Sequence, residues 1–87
     1  MRQLVWAGSA RTDYLLLLGR IAADDRDAAE RLAEGIETMA DALAAAASGH
    51  RGRVPGTYEK SARHPRFTLA YALTDARTVT ILRVVPE

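Results

Sequence analysis

The chain has no cysteine. That excludes a disulfide framework and any thiolate metal site. It has only two histidines, His50 and His64, 14 positions apart. Such a pair needs carboxylate help to hold a metal, and Glu59 alone does not complete a site. Aromatic residues are scarce: one Trp, one Phe and three Tyr. Long apolar runs are missing too. The longest near the start, Leu15 to Leu18, is too short for a signal peptide or a bilayer span. No glycine-rich phosphate loop is present, because Gly49, Gly52 and Gly56 lack a strand before and a helix after them. Ser48, Ser61 and His64 have no setting that would make a nucleophilic triad. The acidic cluster Asp24-Asp25-Arg26-Asp27 is explained by the start of a helix, without a catalytic carboxylate pair. These absences predict a cytoplasmic protein with no metal, no cofactor and no membrane partner.

What is present fits one small domain, residues 1–87. A chain of this length buries roughly 60–65% of its unfolded surface, so its stability margin is thin. Hydrophobic content of 48% and charged content of 26% argue against disorder. The net charge of +1 hides an asymmetry. Residues 1–48 carry 5 basic and 8 acidic side chains, giving −3, and residues 49–87 carry 7 and 3, giving +4. The positive half is either a solvated sheet surface or a surface for an acidic partner, protein or RNA.

Taken in order, residues Arg2 to Ala7 alternate as a short strand, with Leu4 and Trp6 on one side and Gln3 and Val5 on the other. Trp6 reads as a core plug, since an aromatic beside Leu4 needs no ligand to explain it. Ser9 is placed to cap a first helix from about Ala10 to Ala23. Tyr14, Leu17, Leu18 and Ile21 follow helical spacing, and Leu15 and Leu16 lie off that stripe. A helix this apolar wants more than one neighbour: the second helix, the sheet or a partner. Asp27 and Glu30 form a capping-box-like start to a second helix, from about Ala28 to Ala47. Leu32, Ile36, Met39 and Leu43 make its apolar stripe. Gly35 costs about 1 kcal/mol against alanine mid-helix, which predicts tight packing against the first helix. Ser48-Gly49 is the expected stop.

The last third organises the rest. After the basic loop His50 to Gly56, a Pro-Gly turn at Pro55-Gly56 leads into a short strand, Thr57 to Ser61. Phe67, Leu69, Tyr71 and Leu73 then alternate with Thr68, Ala70 and Ala72. Thr74-Asp75-Ala76-Arg77 is a polar break, and Val79, Ile81, Leu82, Val84 and Val85 read as the final strand, paired back as a hairpin. The fold class predicted is α+β, in the order β-α-α-β-β-β, with a helical hairpin packed on an antiparallel sheet.

Gly52-Arg53-Val54-Pro55-Gly56-Thr57-Tyr58-Glu59, a strand ending in Leu69-Ala70-Tyr71, and Val79-Thr80-Ile81-Leu82-Arg83-Val84 occur in order and at spacing. Together they resemble the C-terminal half of the RelE/ParE toxin superfamily of bacterial type II toxin–antitoxin systems, and the upstream elements extend the resemblance over nearly the whole chain. The ParE branch fits better than the RelE branch. RelE-like members cut mRNA on the ribosome and typically place a His or Tyr just after the last strand; here that stretch is Val84-Val85-Pro86-Glu87, and proline carries no proton. The resemblance therefore implies a toxin that inhibits DNA gyrase by protein–protein binding, is neutralised by a cognate antitoxin, and has no direct DNA binding of its own. Arg53, Arg66 and Arg83 are the implied target-binding residues. Arg83 stands out because it interrupts an apolar strand, although pairing with Glu59 or Asp75 is an alternative use for it. Tyr14, Leu15, Leu16 and Leu18 are the implied antitoxin-binding residues, joined by a sheet edge. Two other readings stay open. One is a ribosome-dependent endoribonuclease of the RelE type, using Arg53, His64, Arg66 and Arg83, with Lys60 and Arg63 as further phosphate-holding cations. The other is an antitoxin-binding chain without toxic activity, which the short stretch after the last strand implies.

Overall fold

The structure, a computed structural model, describes residues 1–86. In chain order it has β1 (Gln3–Trp6), α1 (Gly8–Ala22), α2 (Arg26–Ala45), β2 (His50–Arg51), β3 (Tyr58–Arg63), β4 (Arg66–Asp75) and β5 (Thr78–Pro86). The strands form one sheet in the order β1-β5-β4-β3-β2. The expected helical hairpin on a sheet is there, with two differences. β1 pairs parallel to β5, Leu4 opposite Val79 and Trp6 opposite Ile81, so the sheet is mixed and only β2 to β5 run antiparallel. His50-Arg51, expected as loop, pairs with Tyr58 and Glu59 as a short edge strand. Glu87 lies outside the described residues.

The core lies between the helices and one face of the sheet. α2 supplies Leu32, Ile36, Ala40 and Leu43, α1 supplies Ala10 and Leu17, and the sheet supplies Phe67, Leu69, Tyr71, Val79, Ile81 and Val84. The predicted stripes of both helices are therefore the ones that face inward, with Tyr14, Leu18, Ile21 and Met39 packed at the margin. Trp6 also packs against this cluster, its ring tilted 50° to that of Tyr14 at 5.6 Å. Tyr58 and Tyr71, cross-strand partners, stack at 5.6 Å.

Several local signals resolve differently from their sequence reading. Ala7 occupies the N-cap of α1 with no side-chain bond. Ser9 is already inside the helix, and its hydroxyl donates instead to the Leu82 carbonyl at 2.7 Å. The cap of α2 is Asp25, whose carboxylate accepts from the Ala28 N–H at 3.0 Å. Asp27 sits within the first turn, where its charge meets the positive end of the helix dipole. α2 stops at Ala45, with Ala46 extended, three residues before the glycine expected to end it. Gly35 packs not on α1 but on the sheet: an added Cβ would lie 3.4 Å from Phe67 Cε2 and 3.5 Å from Pro65 Cδ. The polar break between the last strands shrinks to Ala76-Arg77, since β4 runs on to Asp75, whose carboxylate accepts the Arg77 N–H at 2.7 Å. The Pro55-Gly56 turn forms as read. Thr57 N–H donates to the Val54 carbonyl at 3.1 Å and Gly56 takes a φ of 85°, which suits glycine in a type II turn.

Candidate functional site

Strict alternation along β5 would put Arg83 on the same side as Val79 and Ile81, in the core. The register prevents this. Ala70 pairs with Arg83 but Tyr71 pairs with Ile81, so Leu82 is an extra residue. Such a β-bulge reverses the parity of the residues beyond it. Val84 is buried and Arg83 is turned out beside Ala70. A cation in the core without a partner would be strongly unfavourable, so the bulge is what reconciles the sequence Ile81-Leu82-Arg83-Val84 with a sheet.

The pairing of β1 with β5 ends at Ile81, and α1 covers the strand edge beyond it. Ala7 N–H donates to the Ile81 carbonyl at 2.9 Å. The Ser9 hydroxyl takes the Leu82 carbonyl. Asp13 accepts from the Val84 N–H at 3.0 Å and from Arg83 twice, Nε at 2.7 Å and Nη2 at 3.0 Å. This is a two-pronged guanidinium–carboxylate pair, and the Arg83 hydrogen bond, aided by Val84, holds the Asp13 carboxyl below its usual range against the opposing effect of burial. Arg83 is thus paired with Asp13, neither with Glu59 nor with Asp75. The Arg83 side chain stays 60% exposed while that of Asp13 is 17% exposed. Sequence reasoning missed Asp13. The available signal was the break in alternation at Leu82-Arg83, together with Ser9 and Asp13 at one-turn spacing on α1.

The other singled-out cations divide between the two sides of the sheet. Arg53 lines a hollow of about 290 Å³ with Glu59, Thr68, Ala70 and Val85, so Arg53 and Arg83 both flank Ala70 on the side away from the helices. Arg66 shares that parity on β4 but lies four residues along, roughly 13 Å away. His64 is elsewhere. It sits in the β3–β4 turn and lines a groove of about 590 Å³ on the helix side, with Arg31 and Glu34 of α2, Pro65 and Phe67, and Lys60 on β3. The structure places Arg53 and Arg83 on either side of Ala70 and His64 on the other side of the sheet. Arg63 pairs with Arg66 at the far end of the hairpin. Among the described residues, no group of three or more His, Asp or Glu could hold a metal ion.

The predicted antitoxin-binding residues also divide. Leu15 and Leu16 are 68% and 64% exposed, an unusual pair of leucines on an outward helix face. Tyr14 and Leu18 turn inward against the core. Tyr14 donates to Glu37 on α2 at 2.7 Å, and burial, reinforced by that carboxylate, raises its pKa to about 12. Trp6, Arg11, Tyr14, Leu15 and Glu37 line an open hollow of about 410 Å³. No helix among the described residues is long and apolar enough to cross a membrane.

Comparison with known proteins bears on the family and the fold. Residues 4–87 match the family described as "ParE toxin of type II toxin-antitoxin system, parDE". No curated protein matches by sequence. Among solved structures, the chain superposes on one described as "Chromosomal ParDE TA system from P. aeruginosa", with a TM-score of 0.75 and 18% identity over 99% of this chain and 96% of that one. It also superposes on a chain of "Crystal structure of the intact E. coli RelBE toxin-antitoxin complex", with a TM-score of 0.67 and 13% identity over 100% and 98% of the two chains. At such identities these likenesses concern the fold.

Proposed function

Because this chain belongs to the ParE toxin family of type II toxin–antitoxin systems, we propose that it disables DNA gyrase by protein–protein contact and is kept silent by a cognate antitoxin. The observation that carries the reading is the separation of Arg53 and Arg83 from His64. Arg53 and Arg83 flank Ala70 on the open side of the sheet, while His64 lines the groove on the helix side. RNA cleavage requires cations on the phosphate and a group that moves protons at the same place. The histidine read as a proton carrier is not at this place, and the acid lining the hollow with Arg53 is Glu59. This favours a surface that binds an acidic partner over one that cuts RNA. Arg53, Arg83 and, further along β4, Arg66 are the target contacts in this reading. The antitoxin covers Leu15 and Leu16, with Tyr14 and Leu18 packed beneath as their support.

The test is plasmid supercoiling by purified gyrase with and without the protein, run beside mRNA cleavage on translating ribosomes. Lost supercoiling with intact mRNA is the expected result. Cleaved mRNA with normal supercoiling would overturn the proposal in favour of a ribosome-dependent endoribonuclease. No change in either would leave an antitoxin-binding chain without toxic activity.

A further inference from the structure

Three consecutive residues of β5 are held by two side chains of α1 one helical turn apart. Ser9 bonds the Leu82 carbonyl at 2.7 Å, and Asp13 bonds both the Arg83 guanidinium and the Val84 N–H, at 2.7 to 3.0 Å. The middle residue of the three is the exposed cation, and it follows the bulge at Leu82. An exposed ion pair contributes little to stability, so stability alone is a weak reason for this arrangement. Its geometry is better suited to aiming. A guanidinium has five N–H donors in a rigid plane. Asp13 takes two of them through Nε and Nη2, fixing the plane and leaving the Nη1 edge to face a partner. The acid is the shielded partner and the base the presented one, at 17% and 60% side-chain exposure.

We propose that Asp13, assisted by Ser9, is a positioning residue that fixes Arg83 for contact with an acidic side chain of the target. This rests on the reading of Arg83 as a target contact. Two roles of Asp13 are separable. Its bond to the Val84 N–H needs only an oxygen, which asparagine keeps. That same oxygen, Oδ2, also accepts from Arg83 Nε, but the second bond, from Nη2, needs the other carboxylate oxygen, and the pair needs the charge, both of which asparagine loses.

A double-mutant cycle on toxin potency separates aiming from simple structural support. Asp13→Asn is expected to lose about tenfold in potency in the wild-type background and nothing in an Arg83→Ala background. Arg83→Lys, which keeps the charge but not the fork, is expected to lose a similar factor, and Ser9→Ala a smaller one. Equal loss from Asp13→Asn in both backgrounds, or none in the wild type, would overturn the proposal. So would an Arg83→Ala protein as potent as wild type. Potency is read both as supercoiling inhibition and as mRNA cleavage. A wild-type protein active only in the second refutes the gyrase reading while leaving the cycle to decide the role of Asp13 there. One active in neither overturns the positioning role as well, since Arg83 would then contact no target. Circular dichroism checks that each variant is folded, and Arg83→Lys and Ser9→Ala carry the test if Asp13→Asn is not.

Discussion

Gly35 sits in the middle of α2 with its Cα toward Phe67 and Pro65, and alanine at this position should stabilise the protein. Glycine inside a helix costs about 1 kcal/mol against alanine because the unfolded chain has more conformations to lose. An alanine methyl here would lie 3.4 Å from Phe67 Cε2 and 3.5 and 3.6 Å from Pro65 Cδ and Cγ, which is contact distance without collision. Partial burial of that methyl adds a few tenths of a kcal/mol. The net gain for Gly35→Ala is about 1 kcal/mol, which raises Tm by roughly 4–8 °C in a domain of this size. Thermal melts followed by circular dichroism, with urea midpoints as a second measure, read the change. A lower Tm would refute the reasoning, because Phe67 and Pro65 would then be too rigid to accept the methyl. Gly49→Ala is the control of opposite sign. Gly49 has a φ of 123° and an added Cβ would run into the Glu59 carbonyl. It should cost about 2 kcal/mol or more.

Ile36 is fully buried, and Ile36→Ala should cost about 2–5 kcal/mol, a large share of the stability of a small domain, seen as a reduced urea midpoint. Replacing Leu15 and Leu16 together with aspartate should leave Tm nearly unchanged, since both side chains face solvent, and should abolish co-purification with the cognate antitoxin. The Tyr14 phenol is expected to ionise near pH 12 in ultraviolet titration. Its folded pKa lies above the ordinary phenol value of 10.0, so its contribution to stability is complete below about pH 10 and is lost as the pH rises towards 12. Asp13 has the opposite sign. Its folded pKa lies below the ordinary carboxyl value of 3.8, so its contribution is complete above that value and lost as the pH falls through the depressed one. Acid melts of Asp13→Asn should therefore show less pH dependence at the acid end than the wild type.

Much of this could be read from the chain because the signals are local. The period of Leu32, Ile36, Met39 and Leu43 sets the buried face of α2 wherever it packs. The alternation of Phe67, Leu69 and Tyr71 does the same for β4. The Pro55-Gly56 turn follows from the backbone preferences of two residues. The caps and boundaries that differ are choices between near-equal neighbours. Asp25 and Asp27 are both good cap residues, and only the path of the chain between the helices decides which one meets the unpaired amides.

The sequence by itself determined the order of β1, the two helices and the last three strands, and the inward stripes of both helices; it left open what Leu15 and Leu16 face. It also determined the excess of positive charge in the strand half. Tertiary structure decided how the strands pair and what each cation faces. The parallel seat of β1 beside β5 and the bulge at Leu82 depend on register between distant segments. So does the pairing of Arg83 with Asp13, 70 residues apart. The physical reason is that periodicity encodes which side of an element is buried, and a single extra residue in a strand inverts that assignment for everything beyond it. Whether that residue is accommodated depends on what lies against the strand edge. Here it is α1, whose Ser9 and Asp13 supply the partners that a neighbouring strand would otherwise have given.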